Sequence, residues 1–328
     1  MFWQNRNVLV TGSSGLLGGW VVAELKTRGA YVVGLERDRI GTPIHHGNGL
    51  RPDFIACGTI EDFELLVRVL NEYEIETVLH LAAQPIVGVA KRNPLSTFDS
   101  NIRGSWTVLE ACRQVDTVKR IVVASSDKAY GISEQMPYVE TMPLRGLDPY
   151  STSKSCVDLI AQSFHATYRT PVCITRCANF FGGGDLNFSR IVPGTIRSAL
   201  HDERPVLRSD GTMIRDYIYV RDVADGYLDL AQAMNDDTLW GQAFNFSQEC
   251  PMSVIEITQL VLRIMDRAEL TPIVLGEAST EIPVQYLSAE KVRTMIDWHP
   301  ARTLEAGLLE TIEWYRAHFR ATGRVASS

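Results

Sequence analysis

Residues 7–18 read NVLVTGSSGLLG. Asn7–Thr11 is a short apolar run, as in a strand buried on both faces. It passes directly into Gly12, Gly15 and Gly18, spaced three apart. Leu16–Arg28 then has helical spacing, with Leu17, Trp20, Val21 and Leu25 on one face. An ordinary tight strand–helix turn could carry one of these glycines. Three of them, between such a strand and such a helix, fit a turn built for a pyrophosphate. Gly12 permits the tight turn, Gly15 lets the backbone approach the ligand, and Gly18 lets helix and strand pack closely. The helix N-terminus then offers free N–H groups and partial positive charge to phosphate.

Working outward, strand and helix patterns alternate. Ala30–Leu35, Thr77–Ala83, Val118–Ser125 and Val172–Ala178 read as strands. Glu61–Tyr73, Pro94–Val115 and Tyr150–Tyr168 read as helices. Continuously apolar strands separated by helices predict an α/β fold, a Rossmann-type doubly wound parallel sheet. After Ala178 the texture changes: Phe180–Asp185 reads as a glycine-rich loop, followed by Arg-spaced, shorter elements. The expected organisation is a dinucleotide-binding domain over 1–178 and a smaller, mixed C-terminal substrate-binding domain over 179–328. Gly241–Ser247 is expected to rejoin the main sheet, which makes the second domain discontinuous. Ala326–Ser328 reads as a frayed tail.

The 328 residues are 45% apolar and 22% charged, with net charge −7. That is a soluble globular composition, and the acidic balance argues against a nucleic-acid partner. No run approaches ~20 consecutive apolar residues, so no membrane partner and a cytoplasmic location are expected. The six cysteines form no CxxC pair and have no His at metal spacing, so no metal is expected. Cys173 and Cys177, in an apolar run, read as buried thiols.

Glu36 ends the second strand. A carboxylate there can accept from both ribose hydroxyls of NAD and repel a 2′-phosphate. Arg37 follows and could instead accept that phosphate; the sequence favours NAD. Tyr150 and Lys154 stand four apart in PYSTSK, on one helical face. An ammonium beside a phenol is expected to lower its pKa, so that the tyrosinate can take a proton from a substrate hydroxyl as hydride leaves carbon.

Together, TGSSGLLG at 11–18, HLAAQ at 80–84, SSDKAYG at 125–131, PYSTSK at 149–154, RCANFFGGG at 176–184 and RDYIYVRDVA at 215–224 resemble the extended short-chain dehydrogenase/reductases, of the NAD-dependent nucleotide-sugar epimerase/dehydratase type. The resemblance implies a catalytic set of Ser126, Tyr150 and Lys154, with Lys154 also holding the nicotinamide ribose. It implies cofactor contacts from Ser14, Leu16 and Leu17 on the turn, and from Leu81, Ala82, Ala83 and Gln84. Gln84, Asn179, Arg190, Arg208 and Arg215 become candidates for the diphosphate and sugar of a nucleotide-diphosphate sugar. It also implies a homodimer through the helices at 94–115 and 150–168, where Val157, Leu159 and Phe164 could face a partner or the core.

Enzymes of this type begin by oxidising the sugar at C4. Epimerases return the hydride to the other face of C4; dehydratases expel the C6 hydroxyl and return it to C6. Beside Ser126 stand Asp127 and Lys128, a pair resembling CDP-glucose 4,6-dehydratases, with Asp127 as acid at C6 and Lys128 as base at C5. A Lys base would need burial or a neighbouring charge to lose its proton. A 4-epimerase needs only Ser126, Tyr150 and Lys154, and there Asp127 and Lys128 would be a structural ion pair. A silent scaffold of the same fold would be marked by loss of Tyr150 or Lys154, and both are present.

Overall fold

Strands that are apolar on both sides need cover on both sides. A computed structural model describes residues 1–38, 51–277 and 282–323; the tail at 326–328 lies outside the described residues. The strands are β1 Asn7–Thr11, β2 Tyr31–Glu36, β3 Phe54–Cys57, β4 Thr77–His80, β5 Arg120–Ala124, β6 Val172–Cys177, β7 Asn179–Phe181, β8 Val206–Leu207, β9 Ile214–Tyr219, β10 Ala243–Phe246, β11 Pro251–Ser253, β12 Ile273–Val274 and β13 Val284–Gln285. Seven of them form one parallel sheet in the order β3-β2-β1-β4-β5-β6-β10.

Successive residues of each strand serve different layers. Val8, Val10 and Val32 pack with Trp20, Val21 and Val223, under the helices Leu16–Thr27 and Val220–Ala233. Leu9, Val33 and Ile121 pack with Leu66, Leu109 and Val157, under Phe63–Glu72, Gly104–Gln114 and Pro149–Tyr168. Cys173 and Cys177 are both buried. The strand order reverses between β1 and β4, and the crevice at such a switch point is where open α/β sheets bind ligands.

β10 pairs with β6 and extends the main sheet. A smaller sheet is built on β9, with β11 antiparallel to it and β13 and β7 parallel. Among the described residues no helix is long and apolar enough to cross a membrane.

Three elements differ from the sequence reading. The helix expected over 94–115 is interrupted: Pro94–Phe98 and Gly104–Gln114 flank a π-helical turn, Asp99–Arg103. That turn carries the buried Asn101, whose carboxamide bonds Gln84 and Ser153 on two other segments. Local widening at a π turn is a common way to aim one such residue. The expected strand Thr77–Ala83 stops at His80. Phe180 and Phe181, assigned to a loop, belong to β7.

Candidate active site

The turn after β1 is shaped by close contact. Gly12 lies at φ +70°, and a Cβ there would come within 2.9 Å of the Ala82 backbone beyond β4. A Cβ on Gly18 would stand 2.0 Å from the Gly12 carbonyl oxygen. Gly15 is different: the nearest atom to a Cβ there is 3.2 Å away, within the turn itself. Gly15 is also the N-cap of the helix, without a side-chain cap and without an acidic residue in the first turn. The amides of Leu16, Leu17 and Gly18 therefore face outward as donors. Ser14 sits half-buried on the same turn. Ser13 Oγ donates to Glu36 at 2.8 Å and fixes that carboxylate beside the turn. Arg37 is turned to Asp38, 2.8 Å away, and both are exposed. A dinucleotide with an unphosphorylated ribose fits this set of groups.

The far wall of the crevice is the segment after β4. Thr11 Oγ1 accepts from the amides of Leu81 and Ala82 at 3.1 and 3.2 Å. Ala83 and Gln84 continue along that wall. The Gln84 carboxamide bonds Ile86 and Thr97, which ties it to its own loop.

Ser126, Asp127, Tyr150 and Lys154 are all buried together at the ends of β5 and of the helix Pro149–Tyr168. Asp148 caps that helix by accepting from the Tyr150 and Ser151 amides. Ser126 Oγ donates to Asp127 Oδ1 at 3.0 Å, and Tyr150 hydrogen-bonds Ser126. Lys128 Nζ lies 3.5 Å from Asp127 Oδ1 and donates to Asn179 Oδ1 at 3.2 Å. Lys128 is a quarter exposed, and the charge beside it is the Asp127 carboxylate.

The electrostatics depart from the expected phenol–ammonium couple. Burial pushes the Tyr150 phenol up to about 12; the Ser126 hydrogen bond opposes this, the Asp127 carboxylate adds to it, and Arg190 opposes it. Lys154 is not among the groups that chiefly act on the phenol. Its Nζ instead donates to the Ala124 carbonyl at 2.8 Å, and burial holds its ammonium down to about 8.

The substrate candidates separate. Asn179 meets Lys128, and its buried Nδ2 has no hydrogen-bond partner among the described residues. Arg190 binds Asp185 at 2.8 Å and is near enough to act on Tyr150. Arg215 is buried on β9, with its guanidinium on the carbonyls of Ile214 and Pro283. Arg208 is exposed and is not brought to this cluster by any of its described bonds.

The chain matches the NAD dependent epimerase/dehydratase family over residues 8–245. It belongs to that family. It is 30% identical to CDP-glucose 4,6-dehydratase of Salmonella typhimurium, over 97% of this chain and 93% of the relative. Its fold matches the UDP-glucose 4-epimerase of Thermotoga maritima with TM-score 0.87 and 26% identity, covering 96% of this chain and all of that one. A dTDP-glucose 4,6-dehydratase from Streptomyces venezuelae, solved with NAD bound, matches with TM-score 0.84 and 25% identity over 96% of this chain and 98% of that one. The cofactor of this family enzyme is NAD.

Sequence reasoning missed several polar groups around the crevice. Asp216 on β9 is buried, its Oδ1 has no hydrogen-bond partner among the described residues, and burial raises its carboxyl to about 6. Gln285, in register with Arg215, is buried with neither carboxamide atom partnered among the described residues. No motif marked Gln285; only the fold brings β13 alongside β9.

His80 stands at the head of HLAAQ, where no spacing marks it. It closes β4, where it accepts from Thr11 Oγ1 at 2.8 Å and donates to Ser105 Oγ at 2.9 Å. Ser105 in turn donates to the Asn101 carbonyl at 2.6 Å. Burial, then the Lys154 charge, hold its imidazole down to about 3. A base with a depressed folded pKa contributes stability above its unfolded pKa, near 6.5, and loses it as pH falls toward 3. The urea midpoint of the family enzyme should therefore fall between pH 7.5 and pH 5. His80→Asn should flatten that dependence; an unchanged slope would reject His80 as its source.

Proposed function

We propose that this family enzyme is a nucleotide-sugar 4,6-dehydratase. The observation that carries the reading is the buried Asp127, bonded to Ser126 and ion-paired with Lys128 beside Tyr150. A 4-epimerase has no chemical use for an acid–base pair next to its Ser–Tyr–Lys set. In this reading residues 179–328 hold most of the nucleotide sugar, and the nucleotide is CDP, dTDP or UDP.

The turn at Gly12–Gly18, Glu36 and Lys154 would hold NAD, which when bound accepts a hydride from C4 and supplies one to C6. Tyr150 acts from its ionised form: its own phenolic proton leaves to solvent before turnover, favoured by the positive charge that bound NAD would bring. The tyrosinate then takes the proton of the C4 hydroxyl while Ser126 orients that hydroxyl. The resulting ketone acidifies the C5 proton. Lys128 removes it while Asp127 protonates the departing C6 hydroxyl. These roles need Asp127 protonated and Lys128 neutral, which is the tautomer of the observed ion pair. Proton transfer between the two reaches it without a proton from water, and elimination returns them to the charged form.

The proton count then requires one more transfer. Lys128 returns its proton to C5 as C6 is reduced. Tyr150 is left holding the C4 hydroxyl proton, and Asp127 is left one proton short. The bonds from Tyr150 to Ser126 and from Ser126 to Asp127 supply the route between them.

Asn179, through its bond to Lys128, and Arg190 and Arg215, as cations, are proposed to meet the sugar and diphosphate. Exposed Leu95, Trp106 and Leu159 on the neighbouring helices support a homodimer, whereas Val157 belongs to the core. Light scattering should give twice the monomer mass, and Trp106→Glu should shift it toward monomer; a monomeric wild type would contradict the dimer.

Incubation with CDP-, dTDP- and UDP-glucose should yield, for one of them, a product lighter by one water in mass spectrometry. A product of equal mass with inverted C4 would establish the epimerase instead. Asp127→Asn and Lys128→Ala should each lower elimination by roughly 10²–10⁴-fold. C4 oxidation should survive in both, read as absorbance of the reduced cofactor. Normal product formation by either variant would reject its assigned role.

A further inference from the structure

The helix Leu16–Thr27 begins at the glycine turn that would hold the cofactor. Little more than one turn on, Trp20 is buried, and its indole N–H donates to the Gly183 carbonyl at 2.9 Å. Its ring meets Tyr219 edge-on, with centroids 6.1 Å apart. Tyr219 ends β9, the strand of Arg215 and Asp216. Gly183 lies in the segment that leaves β7, the strand begun by Asn179.

That segment is tightly seated. A Cβ on Gly182 would stand 2.2 Å from Val220 Cγ1, and one on Gly183 would stand 2.3 Å from Trp314 Cγ. The Tyr315 hydroxyl donates to the Asp185 carbonyl. The Asp185 carboxylate accepts from Arg190 at 2.8 Å and from the Asn187 amide at 3.0 Å. A small displacement at Gly183 is therefore passed on, because its neighbours leave no slack. An indole is suited to the contact: it fills an apolar gap and still ends in a donor.

We propose that Trp20 is a positioning residue that couples the cofactor helix to the segment holding Asn179 and Arg190 at the nucleotide sugar. The proposal rests on the nucleotide-sugar reading of those two residues. Seating of the dinucleotide on the helix N-terminus fixes the indole, the indole fixes the Gly183 carbonyl, and Asp185 carries the constraint to Arg190. Occupancy of one site then tightens the other, and linkage makes the effect reciprocal.

The test uses the holoenzyme and Trp20→Phe, which keeps an aromatic ring and removes the N–H. Calorimetric titration with CDP, dTDP and UDP should find one that binds wild type. Its Kd should weaken roughly 3–10-fold in the variant, the loss of about one hydrogen bond, with cofactor retained. An unchanged Kd in a variant that keeps its cofactor overturns the coupling alone. Absence of binding to wild type by all three overturns the nucleotide-sugar reading, and the coupling falls with it. Hydrogen exchange on wild type needs no variant. Addition of the diphosphate that binds should protect amides near Gly183 and near Trp20 together; protection confined to the Gly183 segment overturns the proposal.

Discussion

Gly18 touches the carbonyl of Gly12, and the remainder of the site follows from that contact. No side chain fits between them, since a Cβ would come within 2.0 Å. The helix Leu16–Thr27 is thereby set close against the end of β1, with its uncapped N-terminus at the switch point of the sheet. On the other side, Gly12 meets Ala82, which brings the segment after β4 to the same crevice. Thr11 stitches that segment down through two amides and through His80. The uncapped helix end, the Glu36 carboxylate held by Ser13 and the wall facing them are products of one packing constraint.

Burial governs the chemistry that this crevice allows. It raises Tyr150, lowers Lys154 and His80, and raises Asp216, so each is pushed toward its neutral form. Asp127 keeps its place in that environment through Ser126 and Lys128. Proton transfer to Tyr150 needs the tyrosinate, whose formation has to overcome that burial; an added positive charge beside the phenol favours it.

The sequence disclosed what short-range pattern can carry. β1, its turn and the helix after it are contiguous, so their periodicity and glycines were legible together. Tyr150 and Lys154 stand one helical turn apart, and Asp127 and Lys128 are adjacent to Ser126. Other features were hidden for identifiable reasons. β3 is a short edge strand with mostly exposed residues, and its apolar run, Phe54–Cys57, is only four residues long. The π turn at Asp99–Arg103 answers to partners on distant segments, Gln84 and Ser153. Gln285 stands beside Arg215 only because β13 pairs with β9. The spacing of Tyr150 and Lys154 placed both on one face, but it did not reveal that Lys154 Nζ turns to the Ala124 carbonyl.

The central claim is that hydride taken from C4 is returned to C6 within one active site. Its most direct measurement follows deuterium from a nucleotide glucose labelled at C4, starting with CDP-glucose, through a turnover with enzyme-bound cofactor. The account predicts deuterium in the C6 methyl group of a 4-keto product. Deuterium recovered at C4 of an inverted sugar would contradict it.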